Sequence, residues 1–447
     1  MYDDNGHLRQ PSERLNQRLW PTRRILETQL DFSQTKGERG IQWFEPSMFF
    51  PGRFRVPLGI AFAFVATHNH FVLDRGGKVF KQSAPVIKLP ADATVEDHLG
   101  LLGVLNSSTA CFWLKQVCHN KGSTVDTRGA RQTQAPWEDF FEFTGTKLQE
   151  FPLPPVPPLT WGRTLDDLAQ QTARLLPATV LASGPPSRER LDRAHAEHDA
   201  LRRQMIAAQE ELDWQTYRLY GLLEEDLTVA GQMSEESSEG LPEVALGERA
   251  FEIALARRVA EGSEETAWFT RHDSTPTTAI PDRFPSAYRE LLQRRLDVIE
   301  SNPSIRLLER PEFKRRWAGE SWESMERSAL VEYVLDRLED PGVWSGPSGP
   351  RVSSVAQVAD AVRHDAEIRA ALVLLYGADV DTVKALTALT AEEAVPYLAA
   401  SRYKPSGMVK RAEWEAVWEL QRREDAGESV DIPVPPKYAQ ADFRKAA

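Results

Sequence analysis

The stretch that most constrains this chain runs from Leu101 to Pro154. In its opening run, Leu101, Leu102, Val104, Leu105, Phe112 and Leu114 are too dense for the narrow stripe of a surface helix. The run to Gln116 therefore predicts a helix buried on most sides beneath a sheet. Asn106-Ser107-Ser108 interrupts it with small polar side chains that either bond the backbone locally or face a cleft. A core helix with a polar notch and no function gives the same pattern. From Cys118 to Gln134 the chain then loses almost all apolar character. A loop of that length inside a compact domain is usually functional or disordered. Lys147 to Pro154 reads as the strand that leaves the module.

The side chains of the loop suit DNA. Lys121, Arg128 and Arg131 can neutralise phosphate or fork onto guanine, and Asn120, Gln132 and Gln134 can pair with adenine edges, with Thr124 counted among the same contacts. A solvated surface loop draws on the same residue types. The charge balance has to be placed before it is used: the chain carries a net charge of -12, but residues 1–150 hold +2 of it and the remainder -14. A near-neutral reader can still bind DNA if its basic residues share one face.

Around this stretch, 41–90 reads as strands: Ile60 to Ala66, Phe71 to Leu73, a turn and return strand over Asp74 to Phe80, and Val86 to Leu89. His68, Asn69 and His70 fall between two of them. His-x-His with Cys118 and His119 elsewhere lacks the tight paired spacing of a zinc site, so His68 or His70 is expected to cap a turn or touch DNA, with His68 and Asn69 counted among the DNA contacts. Two cysteines, Cys111 and Cys118, exclude a disulfide framework and suit a reducing cytoplasm. No signal peptide begins the sequence and no apolar run spans a bilayer, so the expectation is a cytoplasmic protein without a membrane partner.

The whole is expected to be α+β: a mixed-sheet target-recognition module, a long helical spacer and an all-helical C-terminal domain. Expected boundaries are a connector at 1–40, the module at 41–158, the spacer at 159–230, an acidic linker at 231–243, the helical domain at 244–430 and a mobile tail at 431–447. Trp20, Arg23 and Arg24 in the connector are candidate phosphate contacts, more often merely solvated. In the spacer, Leu191, Ala194, His198, Leu201, Met205, Ala208, Leu212, Gln215, Leu219 and Leu222 repeat at alternating spacings of three and four. That seam must pack on another helix, either 159–176 or a second copy. Lys314, Arg315 and Arg316 beside Trp317 form the most basic short cluster, suited to a phosphate backbone or equally to a solvated helix face.

Trp43 to Phe50, Phe62 to Phe71, the Leu101 run, the Phe151-Pro152-Leu153-Pro154 exit, Leu212 to Leu222 and the region from Leu246 to Trp317 together resemble the C-terminal part of the PglX family. These are the adenine-specific DNA methyltransferases of type 2 BREX phage-defence systems. The resemblance implies DNA reading and attachment in a larger S-adenosylmethionine-dependent enzyme. The sequence departs from the family's catalytic pattern. No Gly-rich turn follows a predicted strand, and the Pro-Pro pairs lack the Asn before and the aromatic after. No catalytic, cofactor or metal residue is therefore assigned.

The leading expectation is a sequence-specific reader of double-stranded DNA that positions an adenine methyltransferase. A separate methyltransferase chain or other BREX proteins are further candidate partners. The alternative is a helical protein-interaction scaffold or a DNA mimic within a defence complex. A hydrolase or nuclease finds no nucleophile elbow, phosphate loop or nuclease motif in this sequence.

Overall fold

The computed structural model describes residues 3, 7–31, 33–46, 58–76, 78–123, 135–229, 241–317, 319–346, 349–350, 353–391 and 403–443. It divides into two units, residues 56–183 with 189–326 and residues 1–55 with 184–188 and 327–447. The fold class is α+β, with small antiparallel sheets and many helices. The unit boundaries differ from the expected domains, since the seam helix shares a unit with the sheets. The expected acidic linker falls largely on 230–240, outside the described residues.

In the unit of residues 56–183 and 189–326, β1 (Gly59–Phe62) lies between β3 (Phe71–Asp74) and β4 (Val86–Ile87), with Ile60 opposite Leu73 on one side and Ile87 on the other. All of β1 is buried, which explains its unbroken apolar run; β3 alternates, with Phe71 and Leu73 buried and Val72 exposed. A second sheet orders β2 (Val65–Ala66), β6 (Phe140–Glu142) and β5 (His119–Gly122). Every strand pair among the described residues is antiparallel, where a mixed sheet was expected. The expected return strand before Phe80 does not form: residues 78–80 are outside any strand, and the third strand beside β1 is β4.

The Leu101 run is two helices. α1 (Val95–Leu105) starts at a capping box between Thr94 and Asp97, and α2 (Ser108–Val117) starts at Ser107, whose hydroxyl accepts from the Ala110 N–H. Between them the Asn106 side chain acts as a piece of strand. Its Nδ2 donates to the Phe71 carbonyl at 3.0 Å and its Oδ1 accepts from the Phe71 N–H at 3.1 Å. The expected exit strand is instead a short helix, Gly145–Gln149, capped by Thr144, followed by extended chain through the prolines.

α3 (Leu159–Leu175) crosses α1 at glycines: a Cβ on Gly162 would overlap the Leu99 carbonyl oxygen, and one on Gly103 would stand 3.1 Å from the Pro158 oxygen. The seam belongs to α4 (Arg188–Leu219), and Leu191, Ala194, Leu201, Ala208 and Leu212 are buried on it. Residues 206–214 are buried on every side, however, so this half is a core helix and not a two-helix spacer. Its Ile206, Ala207, Trp214 and Tyr217 pack with Ile253 and Ala254 of α5 (Ala250–Ala260) and Leu291 of α6 (Ser286–Ser301). The expected partner α3 touches it where the Thr172 hydroxyl meets the Met205 sulfur at 3.7 Å.

In the other unit, the helix Pro405–Asp425 carries Trp414, whose indole donates to the Pro436 carbonyl and stacks parallel to Tyr438. The chain expected as a mobile tail is thus packed as far as Phe443, with Ile432 buried and Asp442 bound by Lys410. Arg23, a candidate phosphate contact, is bound by Glu27, Glu424 and Asp425. No helix among the described residues is long and apolar enough to cross a membrane.

Candidate nucleic-acid interface

The loop expected to read bases leaves from β5 and returns at Ala135, where the buried Trp137 packs edge-on against Trp268 at 5.7 Å. Thr124, Arg128, Arg131, Gln132 and Gln134 lie outside the described residues. Asn120 and Lys121 are exposed at the loop's foot, on the edge strand β5. Asn120 Nδ2 donates to Asp139 at 3.0 Å, and Lys121 pairs with Glu142 at 2.5 Å. Both are accessible, but each must exchange a carboxylate for a ligand.

His68 and Asn69 are interior. Asn69 Nδ2 donates to the carbonyls of Leu105 at 2.7 Å and Ser107 at 3.2 Å, tying off the carboxyl end of α1. His68 Nδ1 stands 3.3 Å from the Cys111 sulfur. Burial, and then the neighbouring Lys115, His70, Arg315 and Arg316, hold the His68 ring neutral with a pKa well below its ordinary value. Burial also pushes the Cys111 thiol up to about 11, which removes it as a nucleophile.

The Lys314-Arg315-Arg316 triplet divides sharply. Lys314 is fully buried, with its ammonium 2.8 Å from Asp213, 2.8 Å from Glu309 and 3.2 Å from Glu210. Burial opposes its charge, but the three carboxylates more than offset that and raise its pKa. In this fold Lys314 has no reach to a phosphate, contrary to the expectation from sequence. Asp213 is the hub, since it also accepts from the backbone and hydroxyl of Ser108 at 2.8 and 2.6 Å.

Arg315 and Arg316 are different. Arg315 Nη1 donates to Asn106 Oδ1 at 3.2 Å, and Arg316 Nη2 donates to the Thr67 hydroxyl. Nearby, Lys115 of α2 donates to the Glu312 carbonyl at 2.6 Å and lies over the Phe141 ring. His70 completes the group. Among the described residues none of these four makes a side-chain ion pair. Burial, with Arg315 and Arg316 adding repulsion, lowers His70 to about 4, and burial lowers Arg315 to about 10 against the opposing pull of Asp213. Lys115 and Arg316 are lowered for the same leading reason.

The segment is held in place from behind. Arg249, the residue before α5, donates to the Arg315 carbonyl at 2.7 Å while paired with Glu252, and Arg202 of α4 donates to the Trp317 carbonyl at 2.5 Å. A rigid, partly exposed concentration of positive charge is chemically an anion site. Sequence reading missed Lys115 and Thr67 as its members; a lone lysine within the apolar Phe112-Trp113-Leu114 run was the available signal. Among the described residues no group of three or more His, Cys, Asp or Glu side chains is placed to hold a metal ion.

A family model described as a domain of unknown function (DUF7008) matches residues 205–447. An adenine-specific methyltransferase PglX from Streptomyces coelicolor is 48% identical over 436 residues, covering 95% of this chain and 36% of that protein. The chain thus spans about a third of the length of this curated relative. No solved structure matches.

Proposed function

The chain belongs to the DUF7008 family, and from that premise we propose that it is the DNA sequence-recognition portion of an adenine-specific methyltransferase acting in BREX-type phage defence. One observation carries the reading: among the described residues Arg315, Arg316, Lys115 and His70 converge without a side-chain ion pair, directly beside a Lys314 that has three. That arrangement suits the phosphates of double-stranded DNA. The sheet β2-β6-β5 then serves as the rigid base from which residues 120–134 reach the groove, with Arg128, Arg131, Gln132 and Gln134 reading bases and Asn120, Lys121 and Thr124 placing the loop.

S-adenosylmethionine would belong to the complete enzyme. The described sheets are all antiparallel, and none ends in a glycine-rich turn into a helix that could seat it. No methyl-transfer step is therefore assigned to these residues. A separate methyltransferase chain or other BREX proteins would be partners, and the setting would be the cytoplasm.

The test is selection from a random duplex pool by the purified chain, followed by binding across a salt series. An enriched motif lost in the Arg128→Ala, Arg131→Ala double variant supports base reading by the loop. Arg316→Ala should weaken binding to all sequences and flatten the salt slope by about one unit. No retention even at low salt overturns the proposal and favours the helical scaffold or DNA mimic.

A further inference from the structure

Next to the basic cluster, and sharing Arg315 with it, a cleft of about 300 Å³ opens among β3, α1, α3 and α4. That is the low end of the range for small-ligand sites. Phe71, Leu102, Leu165 and Met205 give it apolar walls, and Trp317 lines it beside Arg315. The close crossing of α1 and α3 brings Gly103 and Gly162 to the same wall, where neither adds a side chain to fill the space.

Against those walls stand polar groups whose bonding is incomplete. Gln209 lines the cleft at 2% exposure; its Nε2 donates to the Asn106 carbonyl and to Asp213, both at 3.1 Å, and its Oε1 is left without a partner. The Trp317 indole N–H is likewise buried and unpartnered. Arg315 lies over the Trp317 ring, 5.1 Å from its centroid. A buried acceptor left unpaired costs the fold its full desolvation penalty, which a ligand donor would relieve. One acceptor and one donor without a hydrogen-bond partner, on side chains that line an apolar cleft with a guanidinium at its side, match a flat ring that carries the complementary edge and a linked anion.

We infer that this cleft takes the heterocycle of a nucleotide unit, with Gln209 and Trp317 pairing to its edge and Arg315 facing its phosphate. The inference rests on the reading of Arg315 and Arg316 as a phosphate site for its anionic half. The nucleotide is either free or an unpaired member of a bound strand. Both sources present the same chemistry to the cleft.

The probe is 2-aminopurine, offered to the full chain as the riboside monophosphate and as a single unpaired residue within a duplex. A fully paired, end-labelled duplex is titrated in parallel. A saturable fluorescence change in either arm is expected, and the arm that responds identifies the source. Met205→Trp, which fills the cleft, and Trp317→Phe, which removes the N–H and keeps a ring, should each weaken probe binding at least about tenfold. Affinity for the paired duplex should stay within about twofold, and thermal melts confirm that both variants fold. No saturable change in either arm overturns the inference, as does binding that both folded variants leave unchanged. Binding of the free probe by a chain that ignores paired duplex supports the cleft and overturns the DNA reading instead.

Discussion

The ammonium of Lys314 sits 2.8 Å from the carboxylate of Asp213, and both side chains are fully buried. The pair joins the 309–317 segment to the C-terminal part of α4, and through Ser108 to the start of α2. It therefore fixes the backbone on which Arg315 and Arg316 are presented.

Replacing Lys314 by Met should remove about 3–5 kcal/mol, because three buried carboxylates lose the ammonium they share. The loss should grow with pH. Burial already pushes Glu210 up to about 7, and loss of the ammonium raises it further. A carboxyl held above its unfolded value binds a proton in the fold that the unfolded chain has released, so stability falls as pH rises from about 4.5 through 7 and beyond. Urea unfolding at pH 6 and pH 8 reads this; a variant whose midpoint is the same at both, or higher at pH 8, contradicts the assignment.

Asn106 supplies a second structural test. Asn106→Ala would orphan the N–H and C=O of Phe71 inside the core, a cost of about 2–4 kcal/mol for two unsatisfied groups. It also frees the Arg315 guanidinium. Stability should fall in denaturant titration, while the salt dependence of any DNA binding should persist. An unchanged denaturation midpoint would show that Phe71 finds other partners.

How much of this was written locally follows from the same residues. The density of Leu101, Leu102, Val104 and Leu105 announced a buried helix, and Asn106-Ser107-Ser108 announced its interruption, because both signals are short in range. What Asn106 bonds is on a strand 35 residues away, and nothing near it in sequence says so. The basic triplet misled for a related reason. Lys-Arg-Arg looks solvated until Asp213, Glu210 and Glu309 are brought to its first member by folding, and the first two lie on α4, about a hundred residues earlier. Periodicity found the α4 seam but could not tell a coiled-coil face from one side of a helix buried all round. The Lys147 to Pro154 segment read as strand from its prolines and aromatics, yet Thr144 caps a helical turn there through the Lys147 N–H. The tail read as mobile because its prolines hide the partners that Trp414 provides.

The α1–α3 crossing should tolerate no side chain at its centre. Gly162→Ala drives a methyl into the Leu99 carbonyl oxygen, a rigid backbone group. A destabilisation of about 1–3 kcal/mol is expected from forcing the helices apart. Gly103→Ala meets the Pro158 oxygen at 3.1 Å and should cost less. Matched denaturation curves order the two, and equal or reversed losses would place the tightest contact elsewhere.

His70 couples the candidate phosphate site to protons. Burial, then the charges of Arg315 and Arg316, hold its pKa near 4; Lys115 and His68 crowd the same cluster without adding a negative charge. In the free protein the ring is therefore neutral at pH 6 and above. A phosphate between His70 and the two arginines would offset their repulsion and raise that pKa, so binding takes up a proton and strengthens as pH falls. Were the bound value restored to the ordinary 6.5, affinity at constant salt would rise about fourfold from pH 8 to pH 6. His70→Gln should bind duplex with a nearly flat pH profile and an affinity close to that of the parent at pH 8. A parent protein whose affinity is flat or falls toward pH 6 would separate His70 from the phosphate, and with it move the anion site away from Arg315 and Arg316.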